Sequence, residues 1–324
     1  MERLTLQAEG LRAGERLSVV RVSARGSWLM MKAVVVPGGL VFSLLVAAAL
    51  PAAVLAKERA AETLTRTSKW VVNYDKDACH LLAQFGPAED PLVMQFTRYE
   101  LGDWFDMSLY GRKLATTDFR SETTVDFGLG GPPVKAQALN GKADKLPLMM
   151  FSSIRLDGWQ RKKPEDVGPS VLPQQEAAVS GLTVKVQRRK AIRLQFGSLA
   201  KPMEQFRTCQ SDLLKSWGYD PAVQTTLAKP ARPVGWSMPW LRDSDYPSGA
   251  IAMGQNGVVQ YRLDVEADGK VSGCHVLART SPDVFADTTC RAVTGRAKLD
   301  PALDAAGKPV RSFFVQKVRW QMAE

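Results

Sequence analysis

The chain has two histidines, and each follows a cysteine: Cys79-His80 and Cys274-His275. Two thiols and two imidazoles make a conceivable soft-metal set. On a strand, however, neighbouring side chains point to opposite faces, so Cys274 and His275 cannot both face one ion. Neither histidine sits in a context that suggests a Ser-His-Asp arrangement. Asp126-Phe127-Gly128 imitates a kinase triplet without the rest of that set. Gly128-Leu129-Gly130-Gly131 runs into Pro132-Pro133, so no helix N-terminus follows to hold a phosphate. The carboxylate pairs Asp103/Asp106 and Glu89/Asp90 are ordinary surface features. The residues therefore predict no catalytic group, no metal site and no cofactor.

The basic runs Arg161-Lys162-Lys163 and Arg188-Arg189-Lys190 could meet an anionic glycan or lipid, but such runs are usually solvated faces. The formal net charge of +10 attracts anions in general. Solubility accounts for it as well, and nucleic acid is not an expected partner.

The elements that carry these residues begin after a leader. Ala33–Ala56 is uncharged, follows Lys32, is rich in Ala and ends Val54-Leu55-Ala56. This is the pattern of a secretory signal peptide cleaved after Ala56. The alternative is an uncleaved inner-membrane anchor of near-minimal length, which Pro37 and Gly38-Gly39 weaken. Residues 1–30 carry no periodic apolar pattern, and Met31 before Lys32 is the expected true start. Residues 1–56 thus count as leader. Export leads to a compartment where disulfides persist. The four cysteines then predict two bridges.

Residues 70–218 read as a β-rich domain of no assigned family. Period-two alternation runs through Leu92, Met94 and Phe96, through Phe105, Met107 and Leu109, and through Ile192, Leu194 and Phe196. One helix closes it, with Met203, Phe206, Leu213 and Trp217 on one face, Cys209 near that stripe and Gly218 as the stop. Pro221, Pro230, Pro233 and Pro239 mark 219–245 as a short stiffened linker, and a fragment from near Ser244 is expected to fold alone when oxidised. Trp236 and Trp240 in that stretch are candidates for packing between the domains.

Residues 246–324 give a small α+β unit, strand-strand-helix-strand. Val259, Tyr261, Leu263 and Val265 alternate with polar residues. Asp268-Gly269 signals a hairpin, and Cys274, Val276 and Ala278 alternate on the return strand. Ser281-Pro282 starts a helix striped by Ala286, Cys290, Val293 and Ala297. Gly307-Lys308-Pro309 breaks the chain before a last strand, Ser312–Trp320. Cys274 and Cys290 should both face the sheet–helix interface and bond. Cys79 and Cys209 then pair by elimination, tying the first segment of the β-rich domain to its last helix.

Tyr246-Pro247, Ala250, Gly257-Val258, Asp268-Gly269, Val271, Ala297–Ala302 with Pro301, Gly307–Val310 and Val318–Trp320 occur in an order that resembles the TonB C-terminal domain family, over roughly residues 244–324. The resemblance implies a periplasmic domain that takes up an extended segment of an outer-membrane transport protein at its sheet edge, through the strand bearing Ser312, Phe314, Gln316, Val318 and Trp320. Energy-transducing members resemble one another in a membrane helix with Ser and His and in a long Pro-rich spacer. Ala33–Ala56 has Ser43 but no His, and a globular domain replaces the spacer. The expected function is an exported, non-enzymatic binding or adaptor protein of the periplasm, contacting the membrane only if residues 33–56 stay uncleaved. The alternatives are an anchored energy transducer and an envelope enzyme with its site in 70–218.

Overall fold

A computed structural model describes residues 60–114, 122–143, 145–163, 165–236, 238–280 and 282–322, together with the main chain of 17–22. The expected leader segment Ala33–Ala56, Met31 and the expected helix cap Ser281 lie outside the described residues, as does the side chain of Trp236. Within 1–30, expected to carry no periodic apolar pattern, β1 (Leu17–Val22) is a strand.

The first folded unit holds β2 (Glu62–Thr65), β3 (Val71–Tyr74), β4 (Cys79–Phe85), β5 (Leu92–Arg98), β6 (Phe105–Tyr110), β7 (Thr123–Asp126), β8 (Val134–Ala136), β9 (Ala138–Ala143), β10 (Leu146–Ile154), α1 (Pro173–Ala178), β11 (Gly181–Val186), β12 (Ile192–Gln195) and α2 (Ala200–Ser216). Two sheets result, ordered β3-β4-β5-β6-β10-β9 and β2-β12-β11-β7-β8. Their inner faces share one core, including Leu81, Phe85, Phe96, Met107 and Phe151 from one and Val125, Leu182, Val184 and Leu194 from the other. Only Gln137 separates β8 from β9, so the chain crosses between sheets there. The Arg66–Phe85 bridge joins β2 to β4 near another corner. The unit is therefore a sandwich nearly closed on itself, filled by side chains.

Helix α2 buries Met203, Phe206, Cys209 and Leu213 against this core, as their spacing predicts. The Cys79–Cys209 disulfide fastens it to β4. In the chain-entropy view, closing so long a loop stabilises by about 5 kcal/mol. Gly218, at φ +79°, ends the helix in the left-handed conformation that glycine tolerates.

The second unit begins at once. Its elements are α3 (Pro221–Thr225), β13 (Arg232–Pro233), the 3-10 turns η1 (Val234–Trp236) and η2 (Asp243–Asp245), α4 (Ser248–Ala252), β14 (Gly257–Val265), β15 (Val271–Arg279), α5 (Val284–Arg296), β16 (Leu299–Asp300), β17 (Ala302–Leu303), β18 (Pro309–Val310) and β19 (Ser312–Met322). Its sheet runs β1-β19-β14-β15. The structure is thus α+β, a β-rich unit followed by strand, strand, helix and strand.

Three expectations change here. The stretch 219–245 is built into the second core: Ala231 and Trp240 are buried in it, with Leu227, Met238 and Leu241 packed against them. β13 also pairs with β16. The helix starts at Val284 with Asp283 at its N-cap position, later than the expected Ser281-Pro282 signal. The β14–β15 ladder slips between Gln260 and Tyr261, where Gln260 faces Ala278 and Tyr261 faces Val276. Leu277 is the extra residue of that bulge and is buried.

Candidate functional site

Strand β19 is where sequence reasoning placed the site. Ser312, Phe314, Gln316, Val318 and Trp320 share one face and are all buried. Phe314, Val318 and Trp320 belong to the core under α5, where Trp320 stacks on Phe285 at 5.5 Å and donates from Nε1 to Thr289 at 3.0 Å. These side chains hold the strand in place and do not present themselves to a partner. What β19 can offer is main chain. One side of it pairs with β14 over nine residues, Gly257↔Trp320 to Val265↔Ser312. The other side, its rim, pairs in parallel with 17–22, from Leu17↔Lys317 to Val22↔Met322. The rim is therefore compatible with an added parallel strand over six residues.

The alternate residues of β19 face the first unit. Phe313 meets Trp217 at 5.8 Å and Tyr219 at 5.1 Å. Val315 is buried, and Lys317 reaches Asp106 on β6 and donates to Ser152 Oγ on β10 at 2.9 Å. On β14 the residues that alternate with the core, Gln260, Arg262 and Asp264, are buried as well. Their polarity predicts a solvent face; the first unit covers it instead.

Asp264 is the hub of this covered face, and its partners all belong to the second unit. Its Oδ1 accepts from Tyr219 at 2.7 Å and from Arg262 at 3.1 Å, and its Oδ2 is 2.8 Å from His275 Nε2. The Tyr219 hydroxyl also lies 3.1 Å from the Ser312 carbonyl. The Arg262 guanidinium lies 4.1 Å from the centre of the Trp217 ring, close enough for a cation–π contact. Burial acts to raise the Asp264 pKa, but the Tyr219 and His275 hydrogen bonds and the Arg262 charge outweigh it and hold the carboxyl below its usual value. Beside the hub, a cleft between the units is lined by Arg98, Trp104, Asp106, Gln260 and Lys317. Arg98 is buried there, donates to Gln210 at 3.0 Å and lies 4.9 Å from the Phe206 ring; burial lowers its pKa to about 10.

The remaining predicted residues take structural roles. Tyr246 is buried between Phe285 and Trp320, and its hydroxyl donates to the Gln255 carbonyl at 2.6 Å. Pro247 precedes α4. A Cβ on Gly257 would stand 2.5 Å from Phe285. Asp268 and Gly269 form the β14–β15 turn, with Gly269 at φ +83° and Pro301 beside it. Gly307, at φ +78°, turns β17 into β18. The disulfides are Cys274–Cys290 and Cys79–Cys209. His80 lies in the first unit, 2.9 Å from Thr97 Oγ1, and His275 belongs to the Asp264 hub, so the two Cys-His pairs do not converge. Among the described residues no group of three or more His, Cys, Asp or Glu could hold a metal ion.

Sequence reasoning missed the Asp264 hub and the segment at the rim. The hub's residues alternate with apolar ones exactly as a solvated face would. The segment at 17–22 had a signal in its own Leu-Ser-Val-Val-Arg-Val, a β-branched run.

Residues 242–322 match the family described as Gram-negative bacterial TonB protein C-terminal. No curated protein and no solved structure matches the chain.

Proposed function

We propose that this chain, whose residues 242–322 form a TonB-type C-terminal domain of a TonB-like envelope protein, is a periplasmic binding or adaptor protein that takes up an extended segment of an outer-membrane or other envelope protein along the rim of β19. The observation that carries the reading is the parallel ladder between β19 and residues 17–22. An exposed strand edge is a row of unpaired N–H and C=O groups, and adding a strand satisfies them. Residues 17–22 precede Ala33–Ala56. Cleavage after Ala56 would part them from the folded units, and a membrane span through 33–56 would hold them across the bilayer. Either event vacates the rim for a partner. No helix among the described residues is long and apolar enough to cross a membrane.

The first unit then has two tasks in this reading. Its filled interior supports the second unit from behind through Trp217 and Asp106, and its outer surface is open to a further contact. The domain division that goes with this places the boundary at Gly218, with 219–245 belonging to the TonB-type unit.

The test is made in the bacterial envelope. A photo-crosslinking residue is placed at Arg319, on β19, and separately at Ser272, on β15 at the far edge of the sheet. Capture predicts an envelope protein joined to the first and absent from the second. Gln316→Pro and Lys317→Pro are then made in turn. The variant that loses the rim-facing N–H should stay folded and lose the crosslink, since Pro is tolerated at an edge. Two folded variants that both keep the crosslinked partner would dismiss this strand as the site.

A further inference from the structure

We infer that the rim of β19 selects an extended segment carrying a basic side chain on the face shared with Val318 and Trp320, and that Asp243 is the residue that reads it. The inference rests on the strand-capture reading and adds the chemistry of the segment captured.

The short turn η2 stands beside the rim. The main chain of 17–22, lying on that rim, has Cα atoms within 8 Å of it. Its two carboxylates are used very differently. Asp245 receives Arg296, Nη2 to Oδ1 at 2.9 Å, and the Arg242 N–H at 2.7 Å. Those contacts hold its carboxyl below the usual range, the Arg296 hydrogen bond first among them. Asp243 has no such partners. Only 9% of it is exposed, its Oδ1 is buried without a hydrogen-bond donor, and among the described residues no cation pairs with it. Only its backbone carbonyl is engaged, accepting from the Tyr246 N–H.

A buried carboxylate oxygen left without a donor is costly, and proteins keep such an atom where something else completes it. Burial also pushes the Asp243 carboxyl up, because the charged form loses solvation there. The nearby cations are otherwise engaged or lie elsewhere. Arg296 is taken by Asp245, and Lys317 is taken by Asp106 on the opposite face of the sheet. Arg242 is next to Asp243 in the chain without forming an ion pair to it, and Arg319 alternates onto the Lys317 face.

Register supplies the position. In a parallel ladder, residues in register share a face of the sheet. The face of Val318 and Trp320 is the one that packs on α5 and on Tyr246, just past η2. A captured residue in register with either one therefore points to the side where Asp243 sits. A residue in register with Arg319 points the other way.

The experiment uses the full chain carrying Val19→Pro and Val20→Pro. One of two consecutive amides faces β19, so this pair of changes clears the resident segment from the rim. The probes are fluorescein-labelled hexapeptides built on Leu-Ser-Val-Val-Gln-Val, with Lys at the second, third or fourth position. Bound in the register of 17–22, the second position matches Val318, the third Arg319 and the fourth Trp320. Lys at the second or fourth position should tighten binding about tenfold over the parent peptide, the scale of a desolvated charge pair. Asp243→Asn, confirmed folded by its melting curve, should abolish that gain, so that the Lys-bearing and parent peptides bind the variant alike. Lys at the third position should gain nothing. Equal gains at all three positions, or gains that survive Asp243→Asn, overturn the role of Asp243 while capture stands. Failure of every peptide to bind overturns capture itself, and this inference with it.

Discussion

Asp264 shows how one residue can knit together a face that a neighbouring unit covers. It is a carboxylate taken out of water, which is costly unless hydrogen bonds replace the lost solvation. Tyr219, Arg262 and His275 supply them. Because these contacts favour the charged form, the folded carboxyl titrates below the unfolded one. The stability it contributes is then fully present above the unfolded value, about pH 4, and is lost as pH falls through the lower folded value. Asp264→Asn should therefore lower the melting temperature at neutral pH, and its difference from wild type should close as pH drops from about 4 toward 2. Thermal melts across that range decide it; a difference that stays constant with pH would mean the hub does not act through its charge. Of the residues in this network, the sequence marks only His275, through its place after Cys274. Arg262 and Asp264 look like the wet side of a strand until the unit that covers them is known.

At the scale of elements, turn chemistry was legible and packing partners were not. Asp268-Gly269 announced a hairpin, and the turn is there because Gly269 holds φ +83°, a conformation that side chains with a Cβ resist. A methyl group at that position would also run into the Leu299 carbonyl oxygen, which is backbone and cannot turn aside. Gly269→Ala should destabilise the TonB-type unit by roughly 2 kcal/mol or more, the strain and the clash together. A urea titration of the purified chain reads this directly, and an unchanged midpoint would show the turn to be more pliable than its geometry implies. The alternation in β5, β6, β12 and β14 was equally plain, since a period of two needs no knowledge of the partner sheet. Two things escaped. The bulge at Leu277 depends on how β15 pairs with β14 rather than on β15 alone. The burial of Thr97 and Arg98 at the end of β5, and of Phe285 on α5, comes from neighbours distant in sequence.

For the whole molecule, the decisive segment is the proline-spaced one. Prolines at 221, 230, 233 and 239 predict a stiff spacer, but the segment lies against the second core instead of bridging two bodies. Trp240 is buried and meets Phe314 with ring centres 5.9 Å apart. Ala231 is buried beside it, Arg232 faces Asp300 in the β13–β16 ladder, and Arg296 donates to the Trp240 carbonyl at 3.0 Å. Short proline-rich chain has no strong periodicity, so nothing local distinguishes a spacer from a strap; only the aromatic residues among the prolines hinted at it. The consequence is testable by truncation. A fragment of residues 219–322, oxidised so that Cys274–Cys290 is closed, keeps the strap and should melt cooperatively. A fragment of 244–322 keeps that disulfide, worth about 3 kcal/mol for a loop of its size, yet loses Trp240. Removing a buried Trp costs about 3–5 kcal/mol, which is comparable to what a small domain has to spare. The shorter fragment should therefore show secondary structure by far-ultraviolet circular dichroism but a weak near-ultraviolet signal and a broad melt. If instead the two fragments melt at the same temperature with the same near-ultraviolet spectrum, the strap is an ornament, and the autonomous unit begins at η2 as the sequence alone suggested.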